Sequence, residues 1–450
     1  MINNMEHPSV DALLSVVAEW LEETPIPDLI PREAACPDLT NLRRILAIVG
    51  PRRAGKTFLM YQLIADLEKE GHASRRDILF VDFEDYRLAG FTAADVTPLL
   101  AAFQRLAARP PRFLFFDEVQ RLPEWSRVLR TLHNQGRYTV VVSGSNSKLL
   151  HPEIATELRG RYEDLLLLPF SFREHLLAMD IEITPVTPFT AARGGVIAAF
   201  EEHLYRGGFP EVVLAPTPTE RRQLLQNYFR TIFYHDIVDR YGIRTRSILE
   251  ALMGELLENH STLFSISRFE KGLKANGLPG SKRTISNYLG YLQEAFFLIA
   301  NEKFAHSPRK RLMNPKKVYL VDTGFATLGG SFSQNRGRIL ENLVAVELNR
   351  RGEEARYFKG RGECDFVVTR DRRPAEAIQV CWELNQRNEK RELAGLAEAA
   401  RTLNIDRLTV LTFDQQNTAE AAGAEVVVRP TWEWLTAGES KNPATGAKES

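Results

Sequence analysis

The sequence has few cysteines: Cys36, Cys364 and Cys381 are odd in number, scattered, and form no C-x2-C pair. That excludes a disulfide-framed secreted domain and a cysteine-based structural zinc site, and it points to a reducing compartment. An excess of charge of one sign is lacking too, since 58 basic residues balance 58 acidic ones and leave a formal net charge of zero. No global field then draws the chain to nucleic acid or to an anionic membrane, so such a partner must meet a local patch. No uninterrupted apolar stretch approaches bilayer length, and the start, Met1-Ile2-Asn3-Asn4-Met5-Glu6-His7, has neither the basic n-region nor the apolar h-region of a signal peptide. The expectation is a cytoplasmic protein with no membrane partner. Internal repeats are absent, and low complexity is confined to the tail from Gly438.

What is present is a 450-residue chain, too long for one ordinary core, with globular usage of 44% hydrophobic and 26% charged residues. Short apolar runs at Ile45–Val49, Ile78–Phe83, Phe113–Phe116, Thr139–Val142 and Leu165–Leu168 alternate with helical patterns. This is the sign of an α/β domain whose parallel strands are buried on both faces. From Phe170 to about Tyr241 the chain reads as helices around Gly207-Gly208-Phe209-Pro210, a helical lid. Three helical patterns follow, Ile248–Asn259, Ile266–Ala275 and Arg283–Phe297, at a spacing that suits a winged helix-turn-helix. After Lys303, β-like runs return at Lys317–Val321, Ala355–Phe358, Asp365–Val368 and Ala377–Val380, with a helix at Gly337–Arg351 among them. The expected division is 1–40, an N-terminal helical extension; 41–170, the nucleotide-binding core; 171–242, the lid; 243–305, the winged-helix-like module; 306–437, a C-terminal α/β domain; and 438–450, a disordered tail.

The chemistry is concentrated in Gly50-Pro51-Arg52-Arg53-Ala54-Gly55-Lys56-Thr57, a G-x4-G-K-T turn placed between an apolar strand and a helix that opens through Phe58. Its glycines let successive backbone N–H groups close around phosphate oxygens at the positive end of the helix. Lys56 then reaches the β- and γ-phosphates, and Thr57 offers a hard oxygen to Mg2+, which makes ATP and Mg2+ the expected ligands. An apolar strand ending in Asp117-Glu118 fits the second half of such a site, with Asp117 as metal partner and Glu118 as general base. Ser145 or Asn146, after the next strand, is the candidate sensor of the γ-phosphate, or a plain turn and helix cap. Arg161 is a candidate for stabilising transition-state charge, in its own subunit or in a neighbouring copy.

These motifs together resemble the AAA+ superfamily, and more narrowly the bacterial and archaeal ATPases with an AAA domain followed by a C-terminal domain of unknown function. The matching residues are the phosphate turn at 50–57, Phe-Asp-Glu-Val-Gln at 116–120, Ser-Gly-Ser-Asn-Ser at 143–147, Arg-Gly-Arg-Tyr at 159–162, Leu-Pro-Phe-Ser-Phe-Arg-Glu at 168–174 and Gly-Gly-Phe-Pro-Glu at 207–211. The resemblance implies a five-stranded sheet in the order 5-1-4-3-2, Pro210 near the adenine, and Arg161 as an arginine finger. It also implies a last domain similar to the PD-(D/E)XK nuclease fold, with Glu341, Asp365 and Gln379 as the metal-site outline. Cys381 stands where that fold's lysine belongs, and a neutral thiol cannot replace an ammonium, so no nuclease activity is expected.

DNA is a candidate partner through Lys282 and Arg283 at the start of the third helix of the winged module. Arg309 and Arg311 belong to a basic stretch, with Lys303, Lys310, Lys316 and Lys317, that holds the single acid Glu302. The leading expectation is an ATP hydrolase that turns nucleotide state into movement of its C-terminal modules. The alternative is a slow switch that binds ATP tightly and holds or releases a protein partner, and either accommodates a homo-oligomer.

Overall fold

Five apolar residues without polar alternation, Ile45–Val49, form β1, which is buried along its whole length. The computed structural model that shows this describes residues 7–145, 160–329, 336–421 and 423–437. With β2 (Ile78–Asp82), β3 (Phe113–Asp117), β4 (Thr139–Gly144) and β5 (Tyr162–Leu166), β1 builds a parallel sheet in the order β2-β3-β4-β1-β5, the order implied by the family resemblance. Phe113, Leu114, Phe115 and Phe116 of β3 are all buried, as are Val140 to Val142 of β4. The Lys56–Lys69, Val96–Ala107 and Trp125–Asn134 helices cover the faces with buried leucines such as Leu59, Leu99 and Leu129. Parallel pairing through crossover helices requires this two-sided burial.

The fifth strand differs from the sequence reading, which placed it at Leu165–Leu168. It runs from Tyr162 to Leu166 with Glu163 and Asp164 exposed. An edge strand pairs on one side only and tolerates polar residues, so an apolar run was the wrong signal for it. The N-terminal extension is helical over Val10–Ala18 and packs Leu13, Val16 and Val17 into the same core. Trp20 anchors it by donating its indole N–H to the Ile78 carbonyl at 2.6 Å. Extension and sheet form one compact unit, residues 7–169 together with Glu294–Phe296.

The second unit takes residues 170–293 and those from 297 onward. It opens with the helices Phe172–Ala178, Ala192–Arg206, Pro210–Leu214 and Pro218–Thr231. Next come the helix Arg246–Glu258, β6 (Thr262–Phe264), the helices Ile266–Ala275 and Lys282–Glu294, β7 (Leu298–Asn301) and β8 (Lys316–Leu320). These strands form an antiparallel sheet in the order β6-β8-β7. A boundary at residue 306 would therefore cut this sheet, because β8 pairs with strands on both sides of it and belongs with the preceding helices.

The last sheet has six strands, β9 (Glu354–Lys359), β10 (Glu363–Arg370), β11 (Arg373–Val380), β12 (Arg407–Thr412), β13 (Asn417–Ala421) and β14 (Ala424–Pro430), in the order β13-β14-β12-β11-β10-β9. β11, β12 and β14 are mutually parallel, and the helix Glu389–Leu403 bridges the first two. No helix among the described residues is long and apolar enough to cross a membrane.

Candidate active site

The turn after β1 is shaped by backbone that most residues avoid. Arg53 has φ 64° and Gly55 φ 92°, left-handed backbone that curls the turn ahead of the Lys56–Lys69 helix, with the Ala54 N–H donating to the Pro51 carbonyl at 3.3 Å. A Cβ at Gly50 would lie 2.0 Å from the Leu167 carbonyl oxygen, so only glycine lets the turn approach the chain leaving β5. Lys56, 5% exposed, donates to the Gly50 and Pro51 carbonyls at 3.2 and 3.0 Å, with Glu118 Oε1 at 3.9 Å. The ammonium is thus held across the hollow of the turn.

Thr57 Oγ1 donates to Asp117 Oδ2 at 2.5 Å, which joins the start of the helix to the end of β3. Ser143 Oγ donates to the other Asp117 oxygen and accepts the Glu118 N–H at 3.0 Å. Glu118 is in left-handed backbone, φ 49°, a conformation that costs a non-glycine residue energy and turns its side chain out of the strand. Its carboxylate accepts from Ser145 Oγ at 3.1 Å and from the Gln120 amide, whose Oε1 is buried with no partner among the described residues. Burial raises the Asp117 pKa, with the Glu118 charge adding to it. Asp82, at the exposed end of β2, is pushed up to about 6 by partial desolvation and by the charges of Asp117, Glu84 and Glu118. Such crowding of acids is relieved by a cation, and two hard oxygens in contact with each other, Thr57 Oγ1 and Asp117 Oδ2, suit Mg2+.

The other predicted residues are spread around this centre. Arg52 pairs with Glu84 at 3.5 Å, and Glu84 also accepts from Arg121 at 2.7 Å. Pro51 and Ala54 are buried in the turn, while Phe58 is exposed just beyond Thr57. Asn146 lies outside the described residues. Arg161 precedes β5 and its carbonyl accepts the Ile45 N–H, which puts it at the start of β1. The turn follows the end of β1, about 16 Å along a strand of this length. A finger role within its own chain is thereby corrected: Arg161 is at the opposite ends of the strands from the turn, bonded to Asn134 Oδ1 at 2.7 Å. Pro210 opens the helix Pro210–Leu214 in the second unit. The glycines before it have a structural cause, since a Cβ at Gly207 would lie 1.8 Å from Asp322 Oδ1, and the Gly208 N–H donates to Asp322 Oδ2 at 2.8 Å.

Sequence reasoning missed Arg32. Its guanidinium is buried and donates to the Ala54 carbonyl at 2.6 Å and to the Leu168 carbonyl at 2.7 Å, bracing the phosphate turn from the N-terminal extension. Ser143 and Gln120 stood inside recognised motifs without a role. Arg32 had no signal at all, because a lone arginine in an aperiodic stretch looks like surface.

In the second unit Glu341, Asp365 and Gln379 do come together, around a residue expected elsewhere. Lys317 of β8, 3% exposed, donates to Asp365 Oδ1 at 2.8 Å and Glu363 Oε1 at 3.0 Å, and is ion-paired with Glu341 Oε1 at 2.8 Å. Tyr319 donates to Glu341 Oε1 at 2.7 Å, and Gln379 links the Asp365 N–H to Glu392. Burial alone would lower the Lys317 pKa, but the charge of Asp365, supported by Glu341 and Glu363, carries it well above the ordinary value. Burial raises Glu341 to about 8, and the neighbouring Asp365 adds to that. Lys317 is therefore an internal counter-ion, which corrects its place in a phosphate-gripping stretch.

That basic stretch is divided further. Arg311 and Lys316 face Glu302 at 3.6 and 3.9 Å, while Arg309 and Lys310 are exposed. Lys282 and Arg283 are exposed at the start of their helix.

Comparison with known proteins places this geometry. Residues 42–176 match an AAA domain, and residues 197–333 match a domain of unknown function, DUF8612. An uncharacterized protein of Methanocaldococcus jannaschii is 32% identical over 402 residues, which span 87% of this chain and 88% of that protein. An uncharacterized protein of Haemophilus influenzae is 30% identical over 345 residues, 76% of this chain and 83% of that one. Among solved structures, a Walker-type ATPase of Pyrococcus abyssi has a TM-score of 0.39 at 13% identity, covering 71% of this chain and 95% of that chain. AMPPCP-bound DnaA of Aquifex aeolicus has a TM-score of 0.24 at 14% identity, covering 57% and 84%. Scores this low carry no argument of their own.

Proposed function

Because this chain belongs to the same family as the uncharacterized Methanocaldococcus jannaschii protein and carries an AAA domain at residues 42–176, we propose that it binds ATP with Mg2+ and hydrolyses it. The observation that carries the reading is the meeting of Lys56, Thr57, Asp117, Glu118, Ser143 and Ser145 at the C-terminal ends of the central strands of a parallel sheet. Lys56 binds the β- and γ-phosphates, exchanging its two carbonyl partners for phosphate oxygens. Thr57 directly, and Asp117 through water, would hold Mg2+, which when bound neutralises charge on the phosphate oxygens. Glu118 takes the proton of the attacking water, oriented by Ser145 and Gln120 on its other oxygen. Gly50 lies against Leu167, three residues before the second unit begins at Phe170. We take this stretch as the relay by which nucleotide state reaches the C-terminal modules. The trap for the reading is Glu118→Gln. It should bind ATP as the parent does and lose turnover by roughly 100-fold or more, whereas unchanged turnover rejects Glu118 as the base.

DNA contact is a second reading, favoured by the exposed Lys282 and Arg283 at the start of a helix that lies in the chain between β6 and β7. In this reading duplex binding weakens with salt, and replacing Lys282 and Arg283 by alanine lowers the logarithmic salt slope by about two. An unchanged slope, or no binding at low salt, removes DNA as the partner.

A further inference from the structure

We infer that the acidic centre of the C-terminal domain is a cation site whose cation is Lys317, so that this centre works without a metal and clamps the β6-β8-β7 sheet to the six-stranded sheet.

The argument is one of charge. An ammonium has only donors to offer. Lys317 donates to Asp365 Oδ1 at 2.8 Å and to Glu363 Oε1 at 3.0 Å, and lies 2.8 Å from Glu341 Oε1 in an ion pair. Three carboxyl groups within this distance hold it as their counter-ion, away from the task that a lysine at position 381 would perform. The acids have further partners. The second oxygen of Asp365 accepts the Val380 N–H at 3.0 Å, and Glu341 Oε1 also receives the Tyr319 hydroxyl at 2.7 Å. Gln379 is held at both ends, by the Asp365 N–H at 3.3 Å and by Glu392 at 2.8 Å. A divalent ion entering here would have to displace the ammonium and leave it buried without partners.

Position gives the centre its mechanical role. Lys317 sits on β8, between β6 and β7, whereas Glu363 and Asp365 sit on β10 of the other sheet and Glu341 on the helix Arg336–Arg350. One side chain thus ties together three elements. The same sheets are stitched at their edges, where the Phe304 N–H donates to the Tyr357 carbonyl at 2.7 Å and the Tyr357 hydroxyl to the Pro315 carbonyl at 2.5 Å.

The experiment uses the full chain without nucleotide, with Mn2+ as the probe, and reads thermal unfolding and nicking of supercoiled plasmid. The parent should show no nicking and no Mn2+-dependent shift that Asp365→Asn abolishes. Lys317→Ala should unfold roughly 10 °C lower and recover part of that loss in millimolar Mn2+, in a manner that Asp365→Asn cancels. If Lys317→Ala does not accumulate folded, the pair Lys317→Met with Asp365→Asn should fold better than either single variant. Parent nicking that depends on Asp365, an unaltered midpoint in Lys317→Ala, or a double variant no better than the singles would each overturn the inference.

Discussion

Lys56 and Lys317 are buried to nearly the same degree, 5% and 3% exposed, yet their surroundings prepare them for opposite ends. Lys56 donates to backbone carbonyls of the phosphate turn at 3.0 and 3.2 Å, partners that phosphate oxygens can outbid. Lys317 meets three carboxyl groups at 3.0 Å or less. A buried ammonium on carbonyls of a ligand-binding turn is a binding group, and one set among carboxyl groups is a structural ion. The difference lies in the backbone. The phosphate turn passes through left-handed Arg53 and Gly55 and sets Lys56 against its own turn carbonyls, whereas the second centre takes its groups from β8, β10 and a helix.

The sharpest way to break the comparison is to truncate each lysine. Lys56→Ala should lower ATP affinity by roughly 100-fold while leaving the unfolding midpoint nearly unchanged, measured by titration with a fluorescent nucleotide. Lys317→Ala should do the reverse, with a lowered midpoint and little change in nucleotide affinity. Loss of ATP binding in Lys317→Ala, or of stability in Lys56→Ala, would erase the distinction.

A smaller effect tests the second centre through protons. Glu341 holds its proton to about pH 8 in the folded chain against an ordinary value of 4.5. The folded state then binds more protons than the unfolded one between these values, so its stabilising contribution is complete below pH 4.5 and fades as pH rises through 8. Glu341→Gln lacks this term. Relative to it, the parent should lose up to about 1.4 kcal/mol per pH unit across that window, read from denaturant unfolding at pH 5 and pH 8. A constant difference would mean that Glu341 is ionised throughout.

The parts of this molecule that were legible in the sequence are those where chemistry dictates both residue type and spacing. Gly50, Gly55, Lys56 and Thr57 are set by phosphate, and the apolar runs of β1 to β4 by burial on two faces, so turn and strands could be read directly, while the sheet order followed from the family resemblance. β5 could not, because an edge strand carries Glu163 and Asp164 without penalty. Arg32 and Lys317 were illegible for a different reason. Each acts on partners far along the chain, at Leu168 and at Glu341, Glu363 and Asp365, and a single charged residue carries no mark of whether it will be buried. The resemblance drew attention to the lysine absent at Cys381, whereas the ammonium beside Asp365 came from a strand assigned to a surface stretch.

The central claim, that the turn and the Asp117-Glu118 pair form one hydrolytic site, is tested most directly by Mg2+-dependent phosphate release from ATP under single-turnover conditions. The parent and Glu118→Gln are compared at saturating protein. The account predicts equal nucleotide capture and release at least roughly 100-fold slower in the variant. Equal rates of release would contradict it.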